Sequence, residues 1–124
     1  MKSLSVMVVD DSLLTAQKLG SILRQLGHTV AGTCRSGAEA IREFPRVKPD
    51  LITMDITMPE MNGIDATWAL LAKYPEAQII MVTSHGQEQM VIQALDAGAR
   101  GYVLKPVKIE KLDLMIKQLQ ARTR

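Results

Sequence analysis

Short apolar runs alternate with helical patterns five times along this chain of 124 residues. The first run, residues 4–9, is nearly continuous in apolar side chains, which is typical of a strand covered on both faces. The helical pattern after it has apolar side chains at i, i+3, i+4 and i+7: Leu19, Ile22, Leu23 and Leu26. Five strand–helix units with short connections predict an α/β domain, in which right-handed crossovers place helices on both faces of a five-stranded parallel sheet.

Turn and capping residues separate the predicted elements. Further strands are predicted at residues 28–34, 51–54, 78–82 and 101–104, and the first of these is polar enough to lie at a sheet edge. Ser36 and Glu39 form a capping box that opens the second helix, and Pro45 predicts that this helix ends near Phe44. The later helices are predicted at 64 to about 73, with Trp68, Leu71 and Ala72 on one face, at 87–97, and from 109 onward. We expect one domain over residues 1–124.

Composition excludes several classes of protein. Apolar residues make up 47% of the chain, too many for a disordered protein, and a net charge of +2 leaves no basic excess for a nucleic-acid-binding domain. No apolar run approaches the ~20 residues that span a bilayer, and the start of the chain lacks the apolar core of a signal peptide. The single cysteine, Cys34, cannot form an internal disulfide and fits a reducing compartment. We expect a cytoplasmic protein, monomeric, without a direct nucleic-acid or membrane partner.

Polar side chains stand at the carboxyl ends of four predicted strands. They are Asp10 and Asp11 after the first strand, Asp55 after the third, Thr83 and Ser84 after the fourth, and Lys105 after the fifth. Ligands of open parallel sheets bind beyond these ends, so folding is expected to bring the side chains to one edge. Helix capping would explain Asp11 or Ser12 singly, but not the joint set.

The charges of this set predict a cation site. Three carboxylates repel one another and a single lysine cannot neutralise them, so either a carboxylate is protonated or a cation binds. Mg²⁺ prefers oxygen ligands and commonly joins carboxylates to phosphate oxygens, which predicts a site for Mg²⁺ and a phosphoryl group together. The glycine motifs of nucleotide-binding loops are absent from the sequence. A phosphohydrolase with an aspartyl nucleophile stays open, although Thr57 stands where such an enzyme commonly has its second acid.

Five segments resemble the receiver domain of bacterial response regulators. They are VVDDS at 8–12, TMDITMP at 53–59, MNG at 61–63, VTS at 82–84 and LKP at 104–106, in the family's order and at its usual intervals. The stretch 55–65, with Gly86, Gln87 and the segment 90–92, is similar to stand-alone chemotaxis regulators of the CheY type. The resemblance implies a flavodoxin-like fold, with the strands of the parallel sheet in the order 2-1-3-4-5.

Residue roles are implied by the same resemblance. Asp55 is implied as the phosphoacceptor, a carboxylate nucleophile that becomes an aspartyl phosphate. Asp10, Asp11 and Asp55 are implied as ligands of Mg²⁺, completed by the main-chain carbonyl of Thr57. Lys105 would pair with Asp55 and then with the phosphoryl oxygens.

The resemblance also implies a switch and several positions around it. Thr83 would donate its hydroxyl to the phosphoryl group, and Tyr102 would turn inward as Thr83 moves. Pro106 would follow a cis bond, and the small Ser84 would leave room for a phosphohistidine donor. His85 would flank the path of water to the acyl phosphate, which leads to the hypothesis that dephosphorylation depends on pH.

The implied function is that of a signalling switch that catalyses its own phosphorylation and dephosphorylation, not that of an enzyme with other substrates. A CheA-like histidine kinase would supply the phosphoryl group, and a phosphatase is a further implied partner. A face formed by the fourth helix, fifth strand and fifth helix would bind a protein target, such as a flagellar motor switch component. Candidates on that face are Met90, Tyr102, Lys108 and Lys111. Three alternatives stay open: the receiver portion of a longer DNA-binding regulator, an aspartyl phosphatase acting on small molecules, and a phosphate sink without an output target.

Overall fold

Five strands and five helices alternate in the computed structural model, which describes residues 2–122. The strands are β1 (Ser5–Val9), β2 (Thr29–Cys34), β3 (Leu51–Asp55), β4 (Ile79–Thr83) and β5 (Gly101–Leu104). The helices are α1 (Leu13–Gln25), α2 (Gly37–Val47), α3 (Gly63–Lys73), α4 (Glu88–Asp96) and α5 (Ile109–Arg122). The predicted alternation is confirmed, and apart from the end of α2 the predicted boundaries lie within one residue of the observed ones.

The strands form one parallel sheet in the order β2-β1-β3-β4-β5, which confirms the flavodoxin-like fold. β2 lies at an edge, as its polar composition predicted. The chain reverses direction across the sheet after β2, so the crevice between β1 and β3 is where such sheets bind ligands. In the register of the sheet, Asp55 is opposite Val82, and Thr83 is opposite Leu104.

Hydrophobic side chains fill both sides of the sheet. Helices α2, α3 and α4 cover one side, with Phe44, Leu70 and Ala94 among their buried residues. Helices α1 and α5 cover the other side, with Leu23 and Ile116 buried. Because β3 and β4 are buried along their whole length, the residues at their carboxyl ends project from a firmly packed base. Within the described residues, no helix has the length and apolarity needed to cross a membrane.

The predicted end of α2 near Phe44 is wrong, because the helix continues through Pro45 to Val47. Proline lacks an N–H and so removes one intrahelical hydrogen bond, but this loss falls in the last turn. The last turn of α2 stays helical because Phe44 is buried against the core, where its ring stacks on Tyr74. The helix then ends at Lys48, whose left-handed backbone (φ 48°) directs its N–H to the carbonyl oxygen of Phe44.

Helix α3 packs through a different face from the one singled out in the sequence. Trp68 is 56% exposed, whereas Ile64, Thr67 and Leu70 are buried. The hydroxyl of Thr67 donates to the carbonyl oxygen of Gly63 at 2.7 Å, so its burial leaves no unpaired polar atom. Apolar side chains occur around most of this helix, and the pattern alone therefore does not decide which side meets the sheet.

Candidate functional site

The carboxyl ends of β1, β3, β4 and β5 bring the predicted polar residues to one edge of the sheet. Asp55 and Thr83 are the last residues of β3 and β4, while Asp10 and Lys105 directly follow β1 and β5. Parallel strands end at the same edge, so residues up to 95 positions apart in the chain meet there. The joint placement inferred from the sequence is present in the structure.

Three carboxylates form a cluster at this edge. Asp10, Asp11 and Asp55 each place an oxygen so that all three oxygens lie within 4.8 Å of one another. Asp10 and Asp55 are only 2% and 5% exposed, and Asp11 is more exposed than either. The Ser12 N–H donates to Oδ1 of Asp10 at 2.8 Å, but the buried Oδ2 of Asp10 accepts no hydrogen bond within the described residues.

Lys105 is the cation of the cluster. Its Nζ lies 3.1 Å from Oδ1 of Asp55 and 3.4 Å from Oδ2 of Asp10. The cluster thus holds one ammonium group, which contacts two of its three carboxylates, so the charges of its side chains do not balance when all three carboxylates are ionised. The Lys105–Pro106 peptide bond is cis, as the resemblance implied.

This environment raises the pKa values of both partners of the Lys105–Asp55 pair. Burial, together with the charge of Asp10, raises the pKa of Asp55 to about 6, although Lys105 acts in the opposite direction. Burial alone would lower the pKa of Lys105, but the carboxylates of Asp55 and Asp10 outweigh it and hold the pKa above its ordinary value. The cluster therefore holds Lys105 charged and disfavours a charged Asp55.

The donor set fits a hard divalent cation such as Mg²⁺. Such ions take carboxylate oxygens, and here three are close together, two of them on buried residues. The Oδ2 atom of Asp10 is buried without a hydrogen bond, and its ionic contact with Nζ of Lys105 at 3.4 Å is shared with Asp55, so a divalent cation would complete its environment. Thr57 follows β3 by two residues, and the role of its main-chain carbonyl as a further ligand stays a prediction.

The start of α3 closes tightly against the end of β3. The Gly63 N–H donates to the carbonyl oxygen of Ile56 at 2.7 Å, and Asn62 caps the helix by accepting from the N–H of Asp65. A Cβ at position 63 would overlap the carbonyl oxygen of Asp55. Gly63 thus allows the loop after β3 to fold back beside Asp55.

Thr83 is held by a residue to which the sequence analysis assigned no role. Thr83 is 1% exposed, and its hydroxyl donates to Oε1 of Gln87. The Ser84 N–H donates to the same oxygen at 2.9 Å, and Nε2 of Gln87 donates to the Thr57 hydroxyl at 2.7 Å. Gln87 stands at the N-cap position of α4 without capping it. The sequence signal that could have identified Gln87 is its long amide side chain at a helix N-cap, a position that favours Ser, Thr, Asp or Asn.

The other predicted positions lie beside the cluster. Tyr102 is 42% exposed on β5 and lines a surface groove together with the exposed His85 and with Lys105 and Pro106. Ser84 is exposed at the end of β4. The structure connects Thr57 to Gln87 by a hydrogen bond. The switch role of Tyr102, the space provided by Ser84 and the effect of His85 on dephosphorylation stay predictions.

The groove beside Tyr102 continues along the predicted output face. Lys108, Lys111 and Leu114 line it from the loop before α5 and from α5 itself, and all three are exposed. Met90 differs from the expectation, because it is half-buried and packs against the hydrophobic core below α4. The structure therefore places Tyr102 and the two lysines at this surface, but turns Met90 toward the interior.

Comparison with known proteins agrees with this geometry. Residues 6–117 match the response regulator receiver domain. The chain is 45% identical over 101 residues to the chemotaxis protein CheY of Thermotoga maritima, covering 82% of this chain and 84% of that protein. It is 35% identical over 109 residues to the chemotaxis protein CheY of Listeria monocytogenes, covering 88% and 92%.

A solved structure shares the fold closely. The crystal structure of the CheX-CheY-BeF3-Mg+2 complex from Borrelia burgdorferi matches with a TM-score of 0.87 and 31% identity, covering 93% of this chain and 87% of that one. The residues that match the receiver domain family, 6–117, include β2 to β5, all of β1 except Ser5, and the three aspartates of the acidic cluster. The chain therefore belongs to the response regulator receiver domain family, and its relatives include CheY proteins.

Proposed function

We propose that this protein is a CheY-like phosphorelay receiver in chemotaxis or motility, and that Asp55 accepts a phosphoryl group from the phosphohistidine of a histidine kinase. The observation that carries the proposal is the convergence of Asp10, Asp11 and Asp55 within 4.8 Å of one another, with Lys105 bound to Asp55. This combines a nucleophile, a cation site and a positive side chain at one sheet edge.

The transfer is a displacement at phosphorus. A carboxylate oxygen of Asp55 forms the new O–P bond while the N–P bond of the phosphohistidine breaks, and the electron pair stays on the imidazole nitrogen. Asp55 attacks in its ionised form, which its raised pKa disfavours in the absence of metal. Asp10, Asp11 and Asp55 would hold Mg²⁺, with the Thr57 carbonyl as a further ligand. Bound Mg²⁺ would supply positive charge that favours ionised Asp55 and offsets the charge of the phosphoryl oxygens.

Lys105 and Thr83 contribute to the same step. The Lys105 ammonium lies 3.1 Å from Asp55, so it is placed to follow the negative charge from the carboxylate to the phosphoryl oxygens. Thr83, the last residue of β4, would donate its hydroxyl to one of those oxygens, and the small side chain of Ser84 would leave the donor room to approach. Hydrolysis would reverse the change: water attacks the phosphorus, the O–P bond to Asp55 breaks, and the carboxylate is restored.

The proposal includes partners and location. A CheA-like kinase would phosphorylate the protein, and the phosphorylated form would bind a protein target such as a flagellar motor switch component through α4, β5 and α5. The Borrelia burgdorferi neighbour is a CheX-CheY-BeF3-Mg+2 complex, which supports a CheX-like protein as a further partner. A phosphatase that acts on the phosphorylated protein is a further expected partner. The buried free thiol of Cys34 fits a cytoplasmic location. The comparisons do not favour the DNA-binding, metabolite phosphatase or phosphate-sink alternatives.

The test is phosphorylation of the purified protein by acetyl phosphate, with and without Mg²⁺, followed by intact mass spectrometry. The wild type should gain the mass of one phosphoryl group only with Mg²⁺, and Asp55→Asn should gain none. Asp11→Ala should require more Mg²⁺ for the same labelling, whereas the exposed Asp96→Asn should match the wild type. A wild type that gains no phosphate from acetyl phosphate or from a phosphorylated histidine kinase would end the proposal, as would undiminished labelling of Asp55→Asn.

A further inference from the structure

We propose that Gln87 is an internal competitor of the phosphoryl group: in the resting protein its amide oxygen takes the hydrogen-bond donors that a phosphoryl oxygen on Asp55 would need. This makes Gln87 a positioning residue that acts through Thr83. The inference rests on the proposed function, because it concerns the same transfer to Asp55.

The competition follows from the hydrogen bonds at the end of β4. Oε1 of Gln87 accepts from the Thr83 hydroxyl and from the Ser84 N–H, so both acceptor sites of the amide oxygen are used. Both donors extend from the end of β4, the strand that pairs directly with β3 and Asp55. Asp55 is opposite Val82, the residue before Thr83, so an oxygen on a phosphorylated Asp55 would compete for the same donors.

Burial makes the exchange of partners necessary. Thr83 is 1% exposed, so water does not replace Gln87 as a partner of its hydroxyl. The Ser84 carbonyl oxygen is a second acceptor, but at 3.4 Å it is a poor one. If Gln87 leaves, the Thr83 hydroxyl therefore requires another acceptor at the edge of the sheet, and the phosphoryl group provides one.

Charge decides which acceptor is favoured. The Gln87 oxygen is a neutral amide acceptor, whereas phosphoryl oxygens are charged and form hydrogen bonds about twice as strong. Phosphorylation is therefore expected to displace Gln87, and the unphosphorylated protein to keep it. The two acceptors cannot share the Thr83 hydroxyl, which has a single proton to donate.

Displacement of Gln87 would also reach the output face. Nε2 of Gln87 binds the Thr57 hydroxyl, so the amide ties the loop after β3 to the loop after β4. Gln87 immediately precedes α4 and makes no capping hydrogen bond there. Gly86, with φ of 90°, supplies a left-handed turn just before it. If Gln87 lost its hydrogen bonds both to the end of β4 and to Thr57, the first turn of α4 would be free to move with the loop that precedes it.

We expect Gln87→Ala and Gln87→Glu to change the labelling rate in opposite directions. Gln87→Ala removes the competing acceptor, and acetyl phosphate should label it about fivefold faster than the wild type, the equivalent of one neutral hydrogen bond. Gln87→Glu supplies a charged acceptor that holds Thr83 and Ser84 more tightly, and should be labelled more slowly. Gln89→Ala and Gln89→Glu make the same changes at an exposed site of α4 and should label at the wild-type rate.

The closing experiment is a double-mutant cycle between positions 87 and 83, read as the labelling rate by intact mass spectrometry at fixed Mg²⁺. Most of the acceleration by Gln87→Ala should disappear in the Thr83→Ala background. Hydrogen exchange of the Ser84 amide in unphosphorylated protein should be faster in Gln87→Ala, whose fold is checked by circular dichroism.

The outcomes separate the two proposals. A wild type that is not labelled overturns the proposed function and this inference with it. If the wild type is labelled, three results would overturn the competition by Gln87 and leave the proposed function standing. The first is a labelling rate of Gln87→Ala no faster than that of the wild type. The others are an acceleration by Gln87→Ala that is unchanged in the Thr83→Ala background, and hydrogen exchange of the Ser84 amide that is unchanged in Gln87→Ala.

Discussion

Asp55→Asn is expected to stabilise the metal-free protein, even though it removes the proposed phosphoacceptor. Burial and the neighbouring Asp10 raise the pKa of Asp55 from 3.8 to about 6. The folded protein therefore binds a proton at Asp55 more tightly than the unfolded chain does. Above pH 6 the carboxylate is ionised in both states, and its charge is less favourable in the folded one.

The size of the effect follows from the shift. A change from 3.8 to about 6 at about 1.4 kcal/mol per pKa unit corresponds to about 3 kcal/mol of unfolding free energy at neutral pH. Asparagine is neutral at every pH and has nearly the shape of protonated aspartic acid. The shift already includes the opposing attraction of Lys105, which the variant loses. Because the asparagine amide only approximates the hydrogen bonds of a protonated carboxyl group, we expect a net gain of about 1–3 kcal/mol.

Urea denaturation in the presence of a chelator measures this gain. With an m value of about 1.5 kcal/mol/M, the midpoint of Asp55→Asn should lie about 1–2 M higher at pH 7.5. The contribution of Asp55 to wild-type stability is fully favourable below pH 4 and is lost as the pH rises through about 6, so the two proteins should converge near pH 4. Asp96→Asn, at an exposed site, should change the midpoint little at either pH.

Two results would refute this reasoning. One is a midpoint of Asp55→Asn equal to or below that of the wild type at pH 7.5 without metal. The other is a difference between the two proteins that stays constant from pH 4 to pH 7.5, because a gain that does not titrate does not come from the charge of Asp55. Added Mg²⁺ should raise the wild-type midpoint and narrow its difference from that of Asp55→Asn, because binding of the ion to the ionised cluster would stabilise the folded state.

Three further substitutions test separate parts of the structure. Gly63→Ala should lower the unfolding free energy by about 2–4 kcal/mol and slow labelling, because its Cβ would overlap the Asp55 carbonyl oxygen; wild-type thermal stability would contradict this. Lys105→Met should raise the pKa of Asp55 further, seen by NMR titration without metal, and slow acetyl phosphate labelling at least about tenfold; an unchanged titration would contradict the ion pair. His28→Ala should cost about 1–3 kcal/mol in urea denaturation, because the buried Leu4 N–H loses its Nδ1 acceptor at 3.0 Å, and an unchanged midpoint would show that this N–H is satisfied otherwise.

The local sequence pattern predicted the strands and helices and the polar residues that meet at one edge of the sheet. Apolar runs and helical spacing predicted five strand–helix units, and the polar residues that end the strands needed only parallel pairing to meet at one edge. Asp10, Asp55 and Lys105 could therefore be grouped from the sequence, since each directly follows a predicted strand. The strand order came from resemblance to a family, because local periodicity does not specify which strands are neighbours.

Tertiary structure decided the features that depend on how separate segments approach one another. The raised pKa of Asp55 comes from burial and from Asp10, which lies 45 positions earlier in the chain. The hydrogen bonds of Gln87 join two loops whose approach is set by the pairing of β3 with β4. Helix α2 passes Pro45 because burial of Phe44 outweighs a local preference. Spacing along the chain reports which side chains share an element, but distances, burial and partners arise only when the elements pack.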